Sequence, residues 1–300
     1  MIQRILTASV LIPLVLLLIL RAPIWLLAIV AGIVALLAIR EFLELTRHYG
    51  VEPFTLTTYT FVGIYFVWLA ICAGHDKPLR TSAFMVLSGL FAALAPFVFL
   101  TIGMKRRELR SVYPAVAASV AAFAYIAIPM SMLVDLRQWS AGGFTLLYLM
   151  LVVWLGDIFA YFVGKSIGRH RMAPRVSPGK TWEGAAASVL SSVGVGIVFA
   201  VYSAPISDFL FNHDLLTQYR SVLNLQYGSP RFMITLSVVL NIAAQLGDLV
   251  ESAIKRGADV KDSGVILPGH GGMLDRIDAL LFAAVVLWFA DAGNAFLNFL

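Results

Sequence analysis

Apolar blocks long enough to cross a hydrocarbon layer recur from one end of this chain to the other, and they constrain it more than any other feature. A helix needs about 20 residues to span a bilayer core. Such blocks are read at roughly 5–20, 24–40, 54–73, 83–102, 115–134, 144–163, 184–203, 232–254 and 279–297. With 60% hydrophobic against 13% charged residues over 300 positions, and a mean hydropathy of +0.87, the chain carries more apolar surface than a soluble core can bury. The expected class is therefore all-α, a polytopic membrane bundle of about nine transmembrane helices. The first block opens like a signal peptide, with Arg4 ahead of the apolar run. Arg21-Ala22-Pro23 offers no small-x-small cleavage site, however, and a second span follows at once, so the block is read as a helix.

Cys72, the only cysteine, falls inside the third span, which excludes an internal disulfide and a cysteine-based zinc site. The distribution of charge is more informative than its total of +5. If nine helices alternate from a cytoplasmic amino terminus, 16 of the 22 basic residues face the cytoplasm, which is the side expected to carry the excess. The run Lys105-Arg106-Arg107 with Arg110 reads as a topology signal facing anionic headgroups. No DNA- or RNA-binding pattern is present.

Two cytoplasmic loops differ, because their basic residues alternate with Gly, Pro, Ser and carboxylates. In the first, Asp157, Tyr161 and Lys165 share one helix face at i, i+4 and i+8. A carboxylate within a span is costly, so Asp157 is expected to face the bundle interior with a partner. The run Ser177-Pro178-Gly179-Lys180-Thr181 reads as a tight, exposed turn that presents Ser, Lys and Thr to a phosphate near a helix amino terminus. It is not a Walker A loop.

In the second, Asp248, Glu251, Ser252 and Lys255 fall at i, i+3, i+4 and i+7 and form a polar stripe at the inner end of the eighth span. Lys261-Asp262, then Pro268-Gly269-His270-Gly271-Gly272, then Asp275, Arg276 and Asp278 complete the segment. By position in the spans, Asp157, Asp248, Asp275 and Asp278 reach a similar depth. Hard oxygen ligands beside Lys and Arg suit Mg²⁺ holding a nucleotide polyphosphate. His270 could donate to a phosphate or serve only a local hydrogen bond. His48, His75, His170 and His213 lie in loops without carboxylate or cysteine companions at ligand spacing, and read as solvated.

Through Ser252-x-Ile254-Lys255-Arg256, Lys261-Asp262-x-Gly264 and Leu267-Pro268-x-His270-Gly271-Gly272-Met273-x-Asp275-Arg276-Ile277-Asp278, the chain resembles the phosphatidate cytidylyltransferase (CDP-diacylglycerol synthase) family. The segment from Trp154 to Gly184 is similar to that family's second conserved stretch, whereas residues 1 to about 140 match only in being helical and apolar. The resemblance implies transfer of CMP from CTP to phosphatidic acid, Mg²⁺ dependence and a homodimer; a second cation beside Mg²⁺ is a further expectation, and the charge count puts the site on the cytoplasmic side of a membrane, expected to be a bacterial inner one. The resemblance also implies N-terminal scaffold helices over 1–82, middle helices over 83–143 and a catalytic domain over 144–300. Asp248, Asp275 and Asp157 would be metal ligands, with Asp278 in support. Lys255, Lys261 and Arg276 complete the implied catalytic set. Ser177, Lys180, Thr181, Ser252, Arg256, Asp262, His270 and Gly271 would bind substrate.

Other membrane phosphotransferases fit less well. A CDP-alcohol phosphatidyltransferase would carry Asp-Gly-x-x-Ala-Arg, which does not occur, and a polyprenyl-phosphate sugar-phosphate transferase matches only in having polar loops. An ion-coupled transporter using Asp157, Asp248 and Glu251 would place them near the midplane, between repeated halves that are not detected.

Overall fold

The computed structural model describes residues 2–73, 77–139, 141–216, 230–266 and 271–297. Helices account for nearly all of it: α1 (Ile2–Leu20), α2 (Ile24–His48), α3 (Thr55–Cys72), α4 (Lys77–Gly103), α5 (Val112–Ala122), α6 (Ile128–Gln138), α7 (Gly142–Ile167), α8 (Trp182–Asn212), α9 (Pro230–Gly257) and α10 (Leu274–Leu297). A single π turn, Phe123–Ala127, joins α5 to α6, so the expected fifth span is one interrupted rod. Pro205 lacks the N–H that would bond the carbonyl of Val201, and Tyr202 beside it has left helical geometry (φ −114°, ψ 15°), which kinks α8.

Seven helices among the described residues are long and apolar enough to cross a bilayer, and the chain is an integral membrane protein. The first and last of the nine expected spans are not among those seven. Of the first, Ser9–Leu20 forms a shorter apolar helix. One departure from the all-helical expectation is local: β1 (Arg171–Ala173) and β2 (Ser177–Thr181) pair antiparallel between α7 and α8. Ser177–Thr181 is thus a strand and not the tight turn expected of it. The turn is at Pro174–Val176, and Pro178 is tolerated because a two-stranded ribbon has only edge strands.

The chain forms two compact units, each assembled from separated stretches. One comprises residues 1–7, 23–138 and 254–277. Within it α2 buries a small-residue stripe, Ala28, Ala31, Ala35 and Ala38, at spacings that let helices approach closely without a hydrophobic drive from water. The aromatic centre is Phe61, Tyr65, Phe91 and Phe123, with ring centroids 5.0–5.3 Å apart. Tyr65 Oη lies 2.7 Å from both Ser88 Oγ and Ser131 Oγ, which satisfies a hydroxyl otherwise stranded in an apolar core.

The other unit comprises residues 8–22, 139–253 and 278–300. Phe144 and Tyr148 of α7 pack on Phe199 of α8, and Tyr148 Oη lies 2.7 Å from Ser237 Oγ of α9. Toward the other end of these helices, Asn241 Nδ2 donates to Ser188 Oγ and Ser192 Oγ at 2.9 and 2.8 Å, and Gln245 Nε2 donates to Asn241 Oδ1 at 2.6 Å.

Candidate active site

In the unit built on α7, α8 and α9, the polar ladder of Asn241 and Gln245 leads to a cavity of about 580 Å³. The face expected on α7 lines it, with Asp157, Tyr161 and Lys165 on one wall. Lys165 Nζ lies 5.6 Å from the Tyr161 ring centroid. Asp157 is exposed to this space and not enclosed by the bundle as expected. A carboxylate at that depth lowers its desolvation cost by opening on a cavity that Lys165, Arg171 and Lys180 also line.

The hairpin contributes Arg171, Gly179, Lys180 and Thr181 to the lining. Its position is set by Thr181, which ends β2 and caps α8: Thr181 Oγ1 accepts from Gly184 N at 3.1 Å. His170, expected to lack a carboxylate companion, has one: Glu183 Oε1 lies 2.7 Å from its Nδ1 and closes the base of the hairpin. Those residues are 13 apart in sequence and meet only because the hairpin returns the chain.

From α9 come Gln245 and Asp248. Lys180 Nζ lies 2.6 Å from Asp248 Oδ2, with side chains 25% and 36% exposed, and Ser252 Oγ donates to Asp248 Oδ1 at 3.2 Å. Six residues singled out from sequence, Asp157, Tyr161, Lys165, Lys180, Thr181 and Asp248, thus share one cavity, with Ser252 bonded to the last. Ser177 is half-buried on β2 and does not line it, and Asp278, 8% exposed, accepts from Ala279 N. Gln245 and Ser188 also line the cavity and were not anticipated. Following the α9 stripe back from Asp248 by three and seven residues would have found Gln245 and Asn241.

The unit that contains the loop after α9 brings together a second set. Lys255 Nζ meets Asp275 Oδ1 at 2.5 Å, with side chains 11% and 7% exposed. Asp275 Oδ2 accepts from Ser263 N at 3.0 Å, Ser263 Oγ at 3.0 Å and Gly272 N at 2.7 Å. Gly271 precedes this contact at φ +79°, a backbone conformation open to glycine at little cost. Arg256 donates to Val260 O at 3.2 Å, and Arg256, Lys261, Asp262 and Arg276 are exposed. His270 lies outside the described residues.

Among the described residues no three His, Cys, Asp or Glu side chains are grouped to hold a metal. Mg²⁺, however, commonly takes one or two carboxylates and completes its shell with substrate phosphates and water. Asp157 of α7 and Asp248 of α9, which line the same cavity, fit that demand.

Comparison with known proteins agrees with this chemistry. Residues 2–291 match the cytidylyltransferase family. Phosphatidate cytidylyltransferase of Bacillus subtilis (strain 168) is 38% identical over 166 residues, 55% of this chain and 54% of that protein. The Brucella abortus (biovar 1, strain 9-941) protein of the same name is 33% identical over 222 residues, 70% of this chain and 72% of its own. That of Rickettsia bellii (strain RML369-C) is 33% identical over 215 residues, 71% of this chain and 85% of its own. A match across nearly the whole length, on a chain whose polar residues line a cavity at the ends of apolar helices, places this protein in the cytidylyltransferase family.

Proposed function

We propose that the chain is a phosphatidate cytidylyltransferase, a nucleotidyltransferase that joins CTP to phosphatidic acid and releases pyrophosphate. An oxygen of the lipid phosphate attacks the α-phosphorus of CTP, and the bond from that phosphorus to the pyrophosphate oxygen breaks. The nucleophile is already anionic near neutral pH, so no strong base is required. The barrier is the approach of two polyanions, which calls for positioning and charge neutralisation. Lys180, Lys165 and Arg171 supply positive charge around one cavity, and the Thr181 cap fixes where the hairpin delivers Lys180. Asp157 and Asp248 would hold Mg²⁺; a metal-binding role for Asp275, with Asp278 in support, is proposed on the resemblance alone. When bound, the ion neutralises phosphate charge and orients the polyphosphate. A second cation belongs to the same proposal.

The observation that carries this reading is the meeting of Lys180 with Asp248 beside Asp157 in the one cavity. Ser252, Lys255, Lys261, Arg256 and Arg276 are proposed to contact phosphates, and Asp262, His270 and Gly271 to bind substrate, on the resemblance. The excess of basic residues in alternate loops supports a cytoplasmic amino terminus and site, and bacterial relatives support an inner membrane. A homodimer is proposed on the resemblance alone and is checked by the mass of the detergent-solubilised protein.

The test is transfer of label from cytidine-labelled CTP into chloroform-soluble lipid by purified protein. Incorporation is expected only when CTP, phosphatidic acid and Mg²⁺ are all present. Folded protein that incorporates nothing would sink the reading in favour of another phosphotransfer or of transport.

A further inference from the structure

Glu41 stands near the inner end of α2, in the part of the chain that the resemblance leaves without a role, yet its side chain is 4% exposed. Its carboxylate accepts from Met273 N at 2.9 Å, Leu274 N at 2.8 Å and Ser263 Oγ at 3.0 Å. Two of these donors are backbone groups at the start of α10, where N–H groups lack intrahelical partners and a negative charge is favoured. A buried carboxylate is tolerated only when its oxygens are met in this way.

Ser263 links this contact to the signature residues. Its hydroxyl lies 3.0 Å from Glu41 Oε2 and 3.0 Å from Asp275 Oδ2, and one hydroxyl hydrogen serves one acceptor at a time. The loop closes over Glu41 with no room to spare: a Cβ at Gly264 or at Gly272 would stand 2.7 Å from Glu41 Cδ. Two glycines of the segment are therefore explained by a carboxylate more than 200 residues earlier.

We infer that Glu41 is a positioning residue for the signature loop. It holds Ser263 and the first turn of α10 so that Asp275 and Lys255 are presented in one arrangement. What the loop is used for rests on the cytidylyltransferase reading; the contact itself does not. Glu41→Gln keeps the shape and turns one acceptor into a donor, which in either orientation faces a backbone N–H, that of Met273 or that of Leu274.

The experiment uses full-length protein in detergent and two readouts. Hydrogen exchange of peptides from 263–277 should quicken about tenfold in Glu41→Gln while peptides from 142–167 keep wild-type rates. Turnover per folded molecule should fall about tenfold with KM for CTP little changed. Ser263→Ala, which deletes only the shared hydroxyl, should move both readouts in the same direction and add little in the double variant. It also decides the matter if Glu41→Gln does not fold. Wild-type exchange in these variants would overturn the contact; faster exchange with wild-type turnover would overturn the positioning role. A wild-type protein that transfers no CMP refutes the function proposed above, and exchange still reads the contact.

Discussion

Replacing Lys180 by Met separates catalysis from stability, because the structure assigns the two very different magnitudes. Lys180 Nζ and Asp248 Oδ2 are 2.6 Å apart, but both side chains keep substantial access to water. Such a pair contributes less than about 1 kcal/mol to folding. Methionine retains most of the aliphatic stem, so the melting temperature in detergent should shift by only a few degrees. Toward a phosphate the same ammonium makes a charged hydrogen bond of about 1.5–3 kcal/mol. Taking about 2 kcal/mol, kcat/KM for CTP should fall about 30-fold. Initial rates of lipid labelling across a CTP series measure it. A kcat/KM within about threefold of wild type, in protein of normal melting temperature, would refute the placement of Lys180 at the reacting phosphates.

Asp248→Asn should abolish measurable turnover and leave Lys180 without its counter-ion, in protein that still inserts and melts as a folded species; chelation should silence the wild type and added Mg²⁺ restore it. Full activity in the variant would remove Asp248 from the proposed metal site. Gly156→Ala should destabilise by about 1–3 kcal/mol, since its Cβ would stand 2.6 Å from Asn241 Nδ2 and 2.9 Å from Ser188 Oγ, two atoms already hydrogen-bonded to each other. An unchanged melting temperature in detergent would show that the α7, α8 and α9 polar ladder can yield.

Helix positions were legible because hydrocarbon leaves a long apolar stretch few alternatives to helix. The expected sixth span at roughly 144–163 is Gly142–Ile167, and the eighth at roughly 232–254 is Pro230–Gly257. Helical spacing also put Asp157, Tyr161 and Lys165 on one face and Asp248 next to Ser252, since both are local properties of a 3.6-residue turn. The hairpin at 171–181 was not legible. Pro178 and Gly179 carry turn propensity, but the turn falls three residues earlier, where β1 and β2 can pair.

By itself, then, the sequence determined an integral membrane helical protein of the cytidylyltransferase kind and the residue types its chemistry would draw on. Apolar length, helical period and a spaced signature are all written in neighbouring residues. Only the tertiary structure decided which of those residues meet. Lys180 reaches Asp248, His170 reaches Glu183, and Glu41 of α2 reaches Ser263 and the start of α10 because the chain folds back between them. Proximity between segments so far apart depends on packing and carries no local signature. A glutamate beside Arg40 reads as one more charge at the end of a helix until the loop that closes over it is seen.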